Sequence, residues 1–284
     1  MSALQSQISN PQIASGKNRD TENFPVGSFL IRPDLRPHVH AFYNFARAAD
    51  DISDHPLMAP REKLERLNRF ATVLGDEKAA DVPEAAAMRR SLNETRISPQ
   101  HCLDLLTAFM RDATQLRYPN WNDLMDYCRY SASPVGRYVL ALHGIGKEVW
   151  AANDALCSVL QIINHIQDCA EDYRELDRIY IPNDMLAAYG ASTSDLSRPQ
   201  STEALTAVIQ AMLDKLEQMM PLARLLPRQV PDVRLKCETS VIAVLAERLI
   251  KLLRSRDPLA DNVKLNKFAV GTATVSGVMR AWTR

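Results

Sequence analysis

The sequence has no surplus of charge of either sign: 34 lysines and arginines stand against 34 aspartates and glutamates. A nucleic-acid binder would normally show a basic excess, and no basic stripe with interleaved aromatics occurs, so that class of partner is argued against. There is no CxxC pair. The five cysteines, Cys102, Cys128, Cys157, Cys169 and Cys237, lie too far apart for a zinc site or a disulfide framework. They read as small core residues of a reducing, cytoplasmic compartment. No apolar run is long enough to span a bilayer; the most apolar one, 241–253, is interrupted by Glu247, Arg248 and Lys251. The first twenty residues lack the apolar centre of a signal peptide, so residues 1–20 are read as a disordered tail and 21–284 as a single domain. HExxH and EF-hand patterns are absent. No segment alternates apolar and polar residues as strands do.

What is present is a 3.6-residue apolar period along nearly the whole chain, which predicts an all-α fold. A first helix is expected from Arg36-Pro37 to Asp54, stopped by His55-Pro56. Pro60 opens the next, which Gly75 closes as a residue just beyond the helix. Further helices are expected from Ser98-Pro99 to about Gln115, from Asn120-Trp121, and from Ser133-Pro134. One long central helix is expected from about Val149 to Tyr173. A short helix over 183–190 and three long ones near 202–226, 231–254 and 265–282 complete the chain.

The central helix carries an anomaly. Gln161, Asn164, His165, Asp168, Glu171 and Asp172 fall within an arc of roughly 120° when placed at 100° per residue. The opposite side is filled by Leu156, Val159, Ile162, Ile163, Ile166 and Ala170. The polar arc is acidic and amidic, with no lysine or arginine in it. A solvated acidic face is the commoner origin of such an arc. A bound cation is the other, because partly buried carboxylates cost several kcal/mol each without a counter-charge.

The first helix repeats the pattern: Tyr43, Arg47 and Asp54 lie within about 60° of Asp50. Acidic residues at a helix C-terminus also oppose the helix dipole and require compensation. Two acidic faces opposed to one another would offer hard oxygen ligands, which suit Mg²⁺, with Mn²⁺ as its substitute, rather than zinc or copper. Mg²⁺ typically takes one or two carboxylates and completes its shell with water and phosphate, so a diphosphate substrate is implied. A di-iron bundle would need Glu-x-x-His motifs, and the chain has none.

The pair Arg47-Ala48-Ala49-Asp50-Asp51-Ile52-Ser53-Asp54 and Gln161-x-x-Asn164-x-x-x-Asp168-x-x-Glu171-Asp172 resembles the squalene/phytoene synthase family, from about Glu22 to the last helix. The resemblance implies an isoprenoid-synthase helical fold around a central apolar cavity, with Mg²⁺ and the substrate diphosphate at its mouth. It implies Asp50, Asp54, Asp168 and Asp172 as catalytic metal-site residues, joined by Asn164. Arg47 is implied as a diphosphate partner, with Gln161 on the same stripe and Tyr43 beside it. Tyr127, in Tyr127-Cys128-Arg129-Tyr130-Ser131-Ala132-Ser133-Pro134-Val135-Gly136, stands where the family has a site tyrosine. Phe24 matches an aromatic near the amino-terminal flap, and Arg178 is a further candidate for the diphosphate. Arg47 is also open to a plain reading as an internal ion-pair partner of Asp50 or Asp51.

Departures from the family pattern narrow the expectation. Condensing members usually carry arginine where this chain has Gln167, and Ala-Gly-x-Val-Gly where it has Ala132-Ser133-Pro134-Val135-Gly136. With Arg178-Ile179-Tyr180-Ile181-Pro182, these departures resemble a bacterial branch of hopanoid biosynthesis. Its members take presqualene diphosphate, release diphosphate and quench the rearranged cation with water to give hydroxysqualene, without a nicotinamide cofactor. Tyr127, Tyr43 and Gln161 are candidates for placing that water. Other squalene-pathway enzymes are implied as neighbours, and a lipid product suits a peripheral contact at the inner face of the membrane. Two alternatives stand beside this expectation: a synthase condensing two prenyl diphosphates head to head, and a non-catalytic assembly factor on the same scaffold.

Overall fold

The computed structural model describes residues 31–282; Phe24 and the expected tail 1–20 lie outside them. Thirteen α-helices follow one another among the described residues. The first six are α1 (Arg36–Ser53), α2 (Pro60–Gly75), α3 (Pro83–Thr95), α4 (Gln100–Asp112), α5 (Trp121–Ser131) and α6 (Ser133–Leu142). Then come α7 (Trp150–Gln167), α8 (Cys169–Leu176), α9 (Asn183–Ala188), α10 (Glu203–Ala223), α11 (Leu226–Gln229), α12 (Val233–Leu253) and α13 (Lys267–Trp282). The only β pairing described is an isolated bridge between Arg117 and Ile179.

The helix starts are chemically specified. Pro37, Pro60, Pro83 and Pro134 occupy first-turn positions, where a missing N–H costs nothing. Side-chain oxygens of Asn120, Thr202 and Asp232 accept from the backbone N–H groups of Asp123, Leu205 and Leu235 at 3.1, 3.1 and 2.8 Å.

Three expectations need correction. Gly75 is the last residue of α2 rather than the one beyond it; Asp76 caps the helix in an extended conformation. Between the second expected helix and the one that begins near Ser98 lies α3, whose buried face is made of Ala85, Ala86, Met88, Ser91 and Leu92. Small residues give a weak apolar period, which is why the pattern passed over it. Most consequentially, the central helix is two helices. α7 ends at Gln167 and α8 begins at Cys169, with Asp168 between them at φ −97° and ψ 5°.

That interruption has an electrostatic logic. In one continuous helix, Asp168, Glu171 and Asp172 would sit mid-ladder and repel one another. The restart makes Asp168 the N-cap residue of α8 and puts Glu171 and Asp172 in its first turn. Unpaired N–H groups at a helix N-terminus favour negative charge.

The apolar residues form two principal clusters. One gathers α1 to α4 around Phe45, Leu67, Met88 and Leu105; the other gathers α7, α10 and α12 around Ile162, Ile163, Met212 and Leu249. α6 serves both, giving Tyr138 and Leu142 to the first and Leu140 to the second. A third, small cluster seats α13 on α12 through Ala273, Val241, Val244 and Leu245.

Candidate active site

A cavity of about 360 Å³ borders both principal clusters. Val39 and Phe42 face it from one side, and Leu156, Leu226 and Leu235 from the other. Its wall is predominantly apolar. The α1 residues Tyr43 and Ala46 line it, as do the α7 residues Gln161 and Asn164. One helical turn beyond Ala46 comes Asp50, and four residues beyond Asn164 comes Asp168. Residues of both stripes singled out in the sequence, Tyr43 on α1 and Gln161 and Asn164 on α7, line this one cavity.

Arg47 lies between its own helix's carboxylates, donating to Asp50 Oδ2 at 2.9 Å and to Asp51 Oδ1 at 2.5 Å. Partial burial disfavours its charge, but the bond to Asp51 and the field of Asp50 outweigh that and raise its pKa. The ion-pair reading of Arg47 thus holds in this structure.

Asp54, at the C-terminal end of α1, has the compensation its position requires. Arg178 Nη1 donates to Asp54 Oδ1 at 2.9 Å, and Lys63 Nζ donates to the Ser53 carbonyl at 2.7 Å. Two cations thus meet the negative end of the helix dipole. Burial and the Arg178 charge lower the Lys63 pKa, with Asp54 pulling the other way. Arg178 is only 4% exposed. It also reaches the backbone carbonyls of Asp112 at 3.1 Å and Ser53 at 3.4 Å. Its Nε has no hydrogen-bond partner and lies 4.0 Å from Asp112 Oδ1. The structure places Arg178 behind Asp54, as its support.

Tyr127 is likewise behind the site. It is buried and absent from the cavity wall, and its hydroxyl donates to Asp112 Oδ2 at 2.7 Å. Tyr180 donates to Asp112 Oδ1 at 2.9 Å. Burial pushes the Asp112 carboxyl up to about 6, against the pull of Arg178 and the Tyr127 hydroxyl. Burial and the Asp112 charge hold both tyrosines neutral, with pKa values well above the usual phenol range. Tyr180 also stacks on His165 with ring centroids 3.5 Å apart, and His165 Nε2 is 3.1 Å from Gln161 Nε2. A continuous buried chain of contacts results, from Asp54 through Arg178, Tyr180 and His165 to Gln161 in the cavity wall. It joins the first acidic stripe to the second.

Asp112 and Lys63 were not singled out from the sequence, and Tyr180 entered only as part of the motif over 178–182, without a role. Asp112 ends an ordinary amphipathic helix, Tyr180 sits in an apolar run, and Lys63 stands among surface charges, so only tertiary packing reveals what they do. Gln167 donates to the Val263 carbonyl, tying α7 to the segment before α13.

The candidate donors singled out in the sequence are all oxygen: Asp50, Asp54, Asp168, Asp172 and the Asn164 amide. His165, the nearest nitrogen base on α7, is engaged with Gln161 and Tyr180. Among the described residues no three His, Cys, Asp or Glu side chains form a ready-made metal cage. Mg²⁺ does not require one, since it binds through one or two carboxylates and takes the rest of its octahedron from water and phosphate. The residues present fit such an ion in kind.

A sequence model described as squalene/phytoene synthase matches residues 17–269 of the chain. A hydroxysqualene synthase of Rhodopseudomonas palustris is 46% identical over 255 residues, 89% of this chain and 87% of that protein. Another, from Zymomonas mobilis subsp. mobilis, is 42% identical over 274 residues, 95% of this chain and 92% of that protein. Among solved structures, squalene synthase HpnC from Alicyclobacillus acidocaldarius superposes with a TM-score of 0.70 at 31% identity. The superposition covers 83% of this chain and 89% of that one.

Proposed function

The chain belongs to the squalene/phytoene synthase family, and on that footing we propose that it converts presqualene diphosphate and water into hydroxysqualene and diphosphate. The observation that supports the reading is the shared cavity: an apolar wall with polar lining from α1 and α7, in which Ala46 precedes Asp50 and Asn164 precedes Asp168 by four residues in the chain. The wall suits a long hydrocarbon and the aspartates suit a diphosphate held through a cation. The identities of 46% and 42% to hydroxysqualene synthases over most of the chain supply the product. In reaction terms this is a carbon–oxygen lyase, which eliminates diphosphate rather than transferring a prenyl group.

Mg²⁺, or Mn²⁺ in its place, would be held by Asp50, Asp54, Asp168, Asp172 and Asn164. It would neutralise the charge that grows on the departing diphosphate. Arg47 holds its guanidinium beside Asp50 and Asp51, from where it offers a bidentate donor to a diphosphate oxygen. Asp54 is fixed by Arg178, and Arg178 in turn by Asp112, Tyr180 and the backbone, so the acidic jaw of α1 does not swing. Tyr43 and Gln161 line the same cavity and orient the substrate's polar end. The apolar wall keeps stray water from the cation until it has rearranged. Capture by water consumes no hydride, so no nicotinamide cofactor enters this reaction.

The lipid product would pass on to a following enzyme, and α13 is where we place a peripheral membrane contact. Among the described residues no helix is long and apolar enough to cross a membrane. On α13, however, Phe268, Val275, Met279 and Trp282 form one exposed stripe, and the helix carries Lys267 and Arg280 with no acidic residue. Such a face suits an anionic lipid surface.

The test incubates purified protein and Mg²⁺ with presqualene diphosphate or with farnesyl diphosphate and identifies the lipids formed. Hydroxysqualene from presqualene diphosphate alone supports the reading. Presqualene diphosphate or a phytoene-type hydrocarbon made from prenyl diphosphates would replace it with a condensing synthase, and no product from either substrate would replace it with an assembly factor.

A further inference from the structure

The cavity wall holds one carboxylic acid among the described residues, and it is far along the chain from both acidic stripes. Leu235, Glu238, Thr239 and Ile242 all line the cavity, at spacings that make them one face of α12. Glu238 is only 4% exposed, at a position where the apolar period of the helix calls for leucine or valine. Even a buried carboxylate with compensating interactions is often matched or bettered in stability by an apolar residue of similar volume, so packing alone does not call for an acid here.

Neighbouring polar groups make hydrogen bonds of their own. Thr239 Oγ1 donates to the Leu235 carbonyl at 2.9 Å, and Ser240 Oγ to the Gly277 carbonyl at 2.7 Å. Asn153 Nδ2 donates to the Ser133 carbonyl at 3.3 Å and to Asp154 Oδ1 at 3.0 Å. Tyr127, the sequence's first candidate for handling water, is not in the wall at all. A second observation points to a small polar guest. Ser131, also in the wall, has a buried Oγ with no hydrogen-bond partner, a condition that an ordered water relieves.

We propose that Glu238 is the proton acceptor for the water that captures the rearranged cation, with Ser131 helping to hold that water in the cavity. The inference rests on the hydroxysqualene-forming reading. The water oxygen forms the new C–O bond, one O–H bond breaks with its electron pair left on oxygen, and the proton passes to the Glu238 carboxylate. Product departure returns that proton to solvent. Before capture, the same negative charge in an apolar wall stabilises the carbocation electrostatically.

The experiment supplies presqualene diphosphate and Mg²⁺ to wild type, Glu238→Gln, Glu238→Asp and Ser131→Ala, and measures hydroxysqualene formed per diphosphate released. Thermal melting is recorded for each. In Glu238→Gln the ratio should fall by about tenfold or more, with hydrocarbons formed by proton loss from the cation making up the balance. Glu238→Asp, which keeps the acid but withdraws it by one methylene, should fall between, and Ser131→Ala should lower the ratio less. A folded Glu238→Gln with the wild-type ratio overturns the inference. Should that variant fail to fold, a folded Glu238→Asp with the wild-type ratio overturns the inference instead. Failure of the underlying reading is seen separately, as absence of diphosphate release or of hydroxysqualene in the wild-type arm.

Discussion

Replacing Arg178 by methionine tests the buried chain of contacts that braces the acidic end of α1. The substitution keeps much of the side-chain volume and removes the guanidinium. It leaves the Asp112 carboxylate buried with only two tyrosine donors, and deprives Asp54 and the carbonyls of Asp112 and Ser53 of a partner. Breaking a buried pair from one side costs about 3–5 kcal/mol. With an unfolding entropy of about 2.1 cal/mol/K per residue over 284 residues, or about 0.6 kcal/mol/K, the melting temperature should fall by about 5–8 °C. The loss should depend on pH with a definite sign. The Asp112 pKa, already raised from 3.8 to about 6, moves higher without Arg178. A carboxyl whose folded pKa is raised favours the folded state below its unfolded pKa, and that advantage is lost as pH rises through the folded value. Scanning calorimetry at pH 8 should therefore show a larger deficit than at pH 4.5, and Asp112→Asn added to Arg178→Met should recover part of it at pH 8 alone. A drop under about 2 °C, or equal drops at both pH values, would refute the reasoning.

Three further outcomes are expected. Asp50→Asn and Asp168→Asn should each lower diphosphate release on the order of 100-fold or more while leaving the helical circular-dichroism signal intact; chelation by EDTA should do the same and be reversed by Mg²⁺, and turnover persisting in both variants would remove the metal assignment. Gly277→Ala should destabilise by about 1–3 kcal/mol, because its new Cβ would lie 2.5 Å from the Val241 backbone and push α13 off α12; an unchanged melting temperature would show that the contact is not tight. Phe268→Ser with Trp282→Ser should abolish flotation with vesicles rich in anionic lipid without touching turnover of presqualene diphosphate in detergent, and flotation equal to wild type would dismiss α13 as the lipid-facing surface.

The parts of the site that sequence could show were those that repeat. Gln161, Asn164 and Asp168, like Tyr43, Arg47, Asp50 and Asp54, recur at helical spacing against an apolar opposite face, and a periodic violation of amphipathicity is visible without coordinates. Asp112 and Glu238 break the pattern once each, on helices of ordinary character, and a single acid in an amphipathic helix looks like surface until its neighbours are known. The interruption at Asp168 was hidden for another reason: placing residues at a fixed angle presumes the continuity that the charges themselves disrupt. Tyr127 was singled out by its motif, but not its setting. Its neighbourhood marks a family position, yet only packing shows that its hydroxyl addresses Asp112 rather than the cavity. Helix α3 escaped because alanine fills a core face without announcing it.

The strut running from Asp54 through Arg178, Tyr180 and His165 to Gln161 also fixes a length. Between Asp54 at the end of α1 and Gln161 on α7 lie a guanidinium, a phenol and an imidazole laid end to end. Substitution at any of them should shift the spacing between the ends of that strut while leaving the acidic motifs of the sequence unchanged. Related chains with identical acidic motifs could thus be calibrated to different ionisation chemistry by residues that substrate never reaches.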